Sequence, residues 1–172
     1  ALRAACFRSL LAEVAVLNGL EAGALFNDFE KFFDTMRIGQ LILQAIHTGF
    51  PLFPFVMGLI QHLAPRVVQA QGFASQPIRV YNSILAGCKF AVALTKFYLL
   101  RKCSLQQQHR AATVSTYVDD TPITSVGRFQ TVLSTLAEVG ISFGKMVAKL
   151  KQVLSSKAEV VASNPKLARL LS

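Results

Sequence analysis

Thr116-Tyr117-Val118-Asp119-Asp120-Thr121 is the stretch whose reading decides the fold of this chain. The two adjacent carboxylates follow residues 112–118, a run rich in β-branched side chains that reads as a strand. A second such run, residues 121–126, comes directly after them, so the segment predicts a β-hairpin whose tight turn presents Asp119 and Asp120. Asx residues also suit turns on their own account, because their side chains bond nearby backbone and tolerate unusual dihedrals. A purely structural turn is therefore the competing explanation of the pair.

Working outward, a second acidic cluster lies in Phe26-Asn27-Asp28-Phe29-Glu30-Lys31-Phe32-Phe33-Asp34. The chain has nine acidic residues against eighteen basic ones, and five of the nine fall in these two short stretches, which makes chance clustering a poor account. The apolar run Gly23-Ala24-Leu25-Phe26 leads into Asp28, so this carboxylate is also expected at the end of a strand. Two such strands side by side would bring Asp28 next to the Asp119-Asp120 turn. Clustered carboxylates repel, and a bound divalent cation is the usual reason they stay together. Hard oxygen ligands favour Mg²⁺ or Mn²⁺. A pair of such ions, about 3.5–4 Å apart, clamps the attacking and leaving oxygens of a phosphoryl transfer.

With both motifs in view, the chain resembles the reverse transcriptases, the RNA-directed DNA polymerases of retroelements. Residues 28–34 are similar to the first palm motif of that family, and Tyr117-Val118-Asp119-Asp120 to its catalytic turn. A Gly-containing helix start, Ala86-Gly87-Cys88, lies between them, with Ala86 where the family commonly has glutamine. The resemblance covers roughly residues 20–163 and only the palm of such an enzyme, with the thumb and the remaining fingers outside it. It implies an α+β fold, a ferredoxin-like polymerase palm in which an antiparallel sheet is backed by helices, with partial fingers helices. It also implies Asp28, Asp119 and Asp120 as catalytic residues and ligands of two Mg²⁺ ions, or Mn²⁺ in their place. An RNA template and a DNA primer would be the partners, and deoxynucleoside triphosphates the substrates. In the same scheme Phe29 lends its backbone carbonyl to a metal and Phe33 gates the sugar of the incoming nucleotide. Gly87 and Tyr117 belong to the substrate pocket, and Lys157 stands near the triphosphate with a general-acid role open to it. Read as plain residues, Phe33 is a core phenylalanine, Gly87 a helix-start glycine and Lys157 a surface lysine, with Lys145 a rival for its role.

Composition widens the field. Hydrophobic residues make up 52% of the 172, and the mean hydropathy of +0.44 is high for a soluble domain. Such values call for thoroughly buried elements, a partner or a membrane. The net charge of +9 suits a polyanion, either nucleic acid or an anionic membrane surface. Three cysteines, Cys6, Cys88 and Cys103, are odd in number and lack metal-ligand spacing, which points to a reducing, intracellular compartment, the nucleus included. Neither do His47, His62 and His109 share a motif spacing. Opening on Ala1 without Met, the chain is expected to be a processed or excised piece.

Along the chain, residues 1–22 read as an amphipathic helix connecting fingers to palm, 23–163 as the palm with inserted helices, and 164–172 as a short closing helix. Residues 31–48 predict one helix. From Ile38 to Pro65 there is no charged residue, a run long enough to span a bilayer. Pro51 and Pro54 interrupt it, however, which favours a helix, a loop over 49–54 and a second helix to Leu63. Residues 65–76 read as strand and loop, and 90–100 as a helix closed by Lys96, Arg101 and Lys102. Residues 104–110, with three consecutive glutamines, read as a polar linker. Residues 126–144 form a strongly amphipathic helix, which residues 145–154 either extend or follow as a shorter one. Two rival functions stand beside the polymerase reading. One is a non-catalytic, helix-rich subunit docking into a membrane or large assembly through apolar surface. The other is a basic nucleic-acid-binding module with dead catalytic residues.

Overall fold

The computed structural model describes residues 2–100 and 102–172; the cation expected at Arg101 lies outside the described residues. The chain divides into two compact units, each described by itself: residues up to Glu30 with those from Leu100 onward, and Lys31–Leu99.

The first unit is built on a four-stranded, wholly antiparallel sheet. Its strands are β1 (Glu21–Asn27), β4 (Ala112–Val114), β5 (Thr121–Gly127) and β6 (Glu159–Ala162), in the order β4-β5-β1-β6. Helix α1 (Leu2–Leu17) precedes β1, α6 (Lys102–Gln108) precedes β4, α7 (Phe129–Leu150) follows β5, and α8 (Pro165–Leu171) closes the chain. The central strand β1 lies between β5 and β6, with Asn27 opposite Thr121 on one side and Phe26 opposite Glu159 on the other.

Helix α7 packs on β1, β4 and β5 through a stripe of Val132, Leu136, Val139, Phe143, Met146, Val147 and Leu150, all buried. That spacing is the three-and-four repeat of an amphipathic helix against a sheet. At 22 residues α7 is long and apolar enough to cross a membrane by length and composition, but here its apolar stripe is spent on the sheet. It absorbs residues 145–150 as its own last turns and stops at Lys151, which is left-handed at φ 53° and returns its N–H to Val147 and Ala148. Asn164 caps α8 by accepting the Lys166 N–H at 2.9 Å, and Pro165 fills the first helical position, where no N–H is needed.

Two sequence expectations fail in this unit. The glutamine-rich segment is not a linker: it forms α6, and Gln106 grips the β4 backbone, donating to the Ala112 carbonyl and accepting the Val114 N–H, both at 2.6 Å. An edge strand's open groups are thereby bonded by a side-chain amide. Nor is α1 amphipathic. Phe7, Leu10, Leu11, Val14 and Leu17 are exposed around it, and Ala15 is its buried contact.

The Lys31–Leu99 unit holds α2 (Phe32–Thr35), α3 (Ile38–Thr48), α4 (Leu52–Leu63), the two-residue strands β2 (Gln69–Ala70) and β3 (Phe73–Ala74), and α5 (Ala91–Tyr98). The single helix expected over 31–48 breaks at Met36, whose fully buried side chain and extended backbone turn its carbonyl to the Ser83 N–H at 3.0 Å. Gly49, left-handed at φ 63°, ends α3. The loop is shorter than the prolines suggest, because Pro54 sits in the first turn of α4, where its missing N–H costs nothing. Helices of 11 and 12 residues each fall short of the ~20 needed to span a bilayer. Phe50, Phe55 and Phe97 form one aromatic cluster and Phe32, Phe33 and Tyr98 another, with centroids 4.7–6.2 Å apart. His62 is fully buried, and its Nδ1 accepts the Leu85 N–H at 2.9 Å. Burial first and the Arg66 charge second hold its pKa below the ordinary value.

The glycines of the first unit supply a test of this packing. A Cβ at Gly23 would stand 2.6 Å from Leu136 Cδ1 and 3.1 Å from Val132 Cγ1, inside the closed sheet–helix layer. Gly144, within α7, has open space at that position. Gly23→Val is expected to lower the unfolding free energy by about 1–3 kcal/mol. Gly144→Ala is expected to raise it by about 0.4–1 kcal/mol. Urea unfolding of both variants checks the pair.

Candidate active site at the end of the central strand

The site begins with the register of β1 against β5. Because Asn27 faces Thr121, the residue just past β1, Asp28, falls at the same end of the sheet as Asp120. The Asn27 side chain ties the two strands there, donating to the Thr121 carbonyl at 3.1 Å. On the other flank the Asp28 carbonyl accepts the Ser155 N–H at 2.8 Å, and Glu30 N–H reaches the Val153 carbonyl at 2.9 Å. The Asp28 carbonyl is thus held on one flank, and the Asn27 side chain ties the other.

Side-chain direction follows from strand alternation. Phe29 is buried, with its ring 6.1 Å from that of Phe143 on α7. Asp28, one residue earlier, therefore points to the opposite face of the sheet from α7, half-buried.

The hairpin turn is tight. Tyr117 and Asp120 exchange both backbone hydrogen bonds, at 2.9 and 3.1 Å, leaving Val118 and Asp119 as a two-residue loop. Its first position usually belongs to glycine or asparagine. Here Val118 adopts φ 59°, the left-handed region, which costs a β-branched residue on the order of 1–3 kcal/mol. Such strain persists where the surroundings over-determine it, and here the surroundings include the carboxylates it projects.

Asp120 senses both neighbouring carboxylates. Partial loss of water first, then the Asp119 charge, then the Asp28 charge, raise the Asp120 pKa above the ordinary carboxylate value. Among the described residues, no three His, Cys, Asp or Glu side chains converge as a ready-made metal cage. The donor set nevertheless suits Mg²⁺, which is held by one or two carboxylates plus substrate phosphates rather than by an all-protein shell. It consists of oxygen donors alone.

The remaining sequence candidates divide between the units. Tyr117 is exposed beside the turn. Lys157 is exposed in the turn that leads into β6, its N–H donating to Ser155 Oγ at 3.2 Å. It therefore lies two residues beyond the Ser155 amide that bonds Asp28. Phe33 and Gly87 belong to the Lys31–Leu99 unit. Within it Phe33 is half-buried, its ring 5.7 Å from Phe32 and its carbonyl accepting the Ile84 N–H at 2.9 Å. Gly87 stands at φ +77° in a turn ahead of α5, with open space where a Cβ would lie, so its need is conformational.

Sequence reasoning missed Val118 and Ser155. Nothing in a β-branched residue announces a left-handed turn, whereas Ser155-Ser156 before Lys157 was a readable turn signal.

Comparison with known proteins adds the fold. No protein-family model matches the chain, and no curated protein matches it. Among solved structures, it is similar to an apo telomerase from Candida tropicalis truncated from the C-terminal domain, at TM-score 0.65 and 10% identity. The match covers 95% of this chain and 36% of that one. The fold is of the polymerase-palm type. At this identity the likeness is one of architecture, and the chain spans about a third of the telomerase chain it matches.

The raised Asp120 pKa has a sign that can be checked. A carboxyl that binds its proton more tightly when folded contributes stability while protonated and loses it as pH rises through the raised value. Asp120→Asn removes the charge that opposes folding. It is expected to raise the melting temperature at about pH 7.5 and to match the parent below about pH 4. Circular-dichroism melts across that range measure the difference.

Proposed function

We propose that this chain is the palm of a template-directed nucleotidyltransferase, a reverse-transcriptase-like enzyme that extends a DNA primer on an RNA template. The observation that carries the proposal is the register that puts Asp28 at the same end of the sheet as the Asp119-Asp120 turn, where Asp120 feels the charges of Asp119 and Asp28. A palm-type fold shared with a telomerase supports it.

In this scheme Asp28 and Asp119 hold two Mg²⁺ ions, or Mn²⁺, with Asp120 supporting and the Phe29 carbonyl contributing. When bound, those ions supply charge neutralisation for an in-line phosphoryl transfer. The primer 3′-oxygen forms a bond to the α-phosphorus, the bond to pyrophosphate breaks, and the hydroxyl proton leaves to solvent or a nearby base. Lys157, in the turn that leads into β6, meets the departing negative charge in this scheme and donates a proton to it. Tyr117 stands beside the turn as a contact for the primer end. The strain at Val118 fixes where the turn aims its carboxylates.

A second reading draws on a different observation. Leu17 on α1 and Phe53 on α4 are 86% and 79% exposed, and Leu43, Ile46, Leu52 and Ile60 are exposed on α3 and α4 as well. Apolar surface of this kind suits a chain that docks into a membrane or larger assembly.

Primer extension with Mg²⁺ or Mn²⁺ separates the two. Asp28→Asn and Asp119→Asn are each expected to lower incorporation by about 10²–10⁴, several kcal/mol of barrier, with unchanged circular dichroism. Lys157→Ala is expected to cost about tenfold to a hundredfold. Incorporation that is absent from the parent, or indifferent to both aspartates, would leave the docking reading.

A further inference from the structure

The sequence contains no carboxylate between Asp34 and Asp119. Within the Lys31–Leu99 unit, Asp34 stands alone against Lys31, Arg37, Arg66, Arg79, Lys89 and Lys96. A unit so one-sided in charge attracts polyanions through long-range fields, whatever local site then captures them.

A local site is present. Ile38, Leu63, Pro65 and Val80 form the apolar wall of an open cavity of about 520 Å³, with Arg79 and Tyr81 at its rim. That volume is within the ~300–1,000 Å³ of small-ligand sites, which are mostly apolar with few polar groups.

The backbone presents the rim residues firmly. Arg66 and Ile78 exchange both backbone hydrogen bonds, at 2.9 and 2.8 Å, closing the base of the excursion that carries β2 and β3. The two arginines near this point are used differently. Arg66 turns inward, its Nη2 donating to Ser83 Oγ and the His62 carbonyl, both at 3.4 Å. Arg79 is exposed, and among the described residues its guanidinium has no hydrogen-bond or ion-pair partner. Tyr81, two residues on, is 76% exposed, and its ring and hydroxyl are likewise without a described partner. A tyrosine ring left exposed by an unpaired guanidinium and an apolar wall presents three things at once: a stacking face, a planar cation and an apolar surface.

We infer that Arg79, Tyr81 and this cavity form a contact for single-stranded nucleic acid, a base resting on the tyrosine ring against the apolar wall and a phosphate on the guanidinium. Stacking on an aromatic side chain tolerates every base, because each has a π-face, and arginine adds both charge and planarity. The occupant is thus a strand held without regard to sequence. An isolated nucleotide would meet the same chemistry, but six cations against one carboxylate favour a chain of phosphates. This contact deepens the nucleotidyltransfer reading and rests on it for the identity of the polyanion, while its geometry lies wholly within the second unit.

The test is fluorescence anisotropy of labelled 12-nucleotide oligo-dT and oligo-rU with the full chain in EDTA, where no turnover intrudes. Tyr81→Ala and Arg79→Ala are each expected to weaken binding about tenfold, and Tyr81→Phe to keep most of the affinity, since the ring is what stacks. Arg79→Ala is also expected to lower the slope of log affinity against log salt by about 0.7, one phosphate on a single strand. Asp119→Asn is expected to bind as the parent does. Equal affinity across the parent, Arg79→Ala and Tyr81→Ala would overturn this contact while leaving the nucleotidyltransfer reading intact. Loss of incorporation with Arg79- and Tyr81-dependent binding retained would do the reverse. Preferential capture by phosphatidylserine vesicles, with the oligonucleotide displaced, would overturn the contact in favour of a lipid surface.

Discussion

The pairing of β1 with β5 is the constraint on which the site depends. Its register runs from Glu21 opposite Gly127 to Asn27 opposite Thr121. A slip of one residue would turn every side chain of β1 to the other face and carry Asp28 away from the turn. The register is held by what lies on the helix side: Gly23 admits Leu136 and Val132 where no larger residue fits, Leu25 touches the face of Gly140, and Phe29 meets Phe143. Close packing against α7 thereby decides where a carboxylate sits on the opposite face. At the far end of β1, Glu21 receives hydrogen bonds from Ser163 and Asn164, so the start of α8 is tied to the same strand.

Against that order stands an electrostatic cost. Asp120 at the strand end resists ionisation, through partial loss of water first and then the charges of Asp119 and Asp28. Val118 adds backbone strain at the same turn. Folding for its own sake would not choose either feature, since an Asn-Gly turn would close the hairpin more cheaply. Concentrated cost of this kind, set on a well-packed scaffold, is the usual signature of a functional site. The counterpart is the long carboxylate-free stretch beyond Asp34, where the cations stand without opposing charge in the sequence. In the reading proposed above, one protein thus holds a place for divalent cations and a surface for phosphates.

Much of this was readable in the residues. The strand into Asp28 was legible as an apolar run, the hairpin as two runs either side of an Asx turn, and α7 by its three-and-four period. The two helices either side of Pro51 followed from the prolines and Gly49. Other features depended on contacts distant in sequence. The polarity of residues 104–110 suggests a linker, but Gln106 bonds the β4 edge at Ala112 and Val114 and makes the segment a helix packed on the sheet. Met36 stops a helix because its carbonyl bonds Ser83, a partner that no local pattern names. The nearness of the carboxylates was legible as a pairing of two strand ends, whereas the bond from the Ser155 turn to Asp28 and the left-handed Val118 were not.

The most direct test is a titration of Mn²⁺, with a non-hydrolysable deoxynucleoside triphosphate, followed through paramagnetic broadening of backbone amide resonances. The account predicts saturable broadening that begins at residues 27–29, 118–121 and 155–157 and is lost in Asp28→Asn. Broadening centred elsewhere, or unchanged by that substitution, would contradict it.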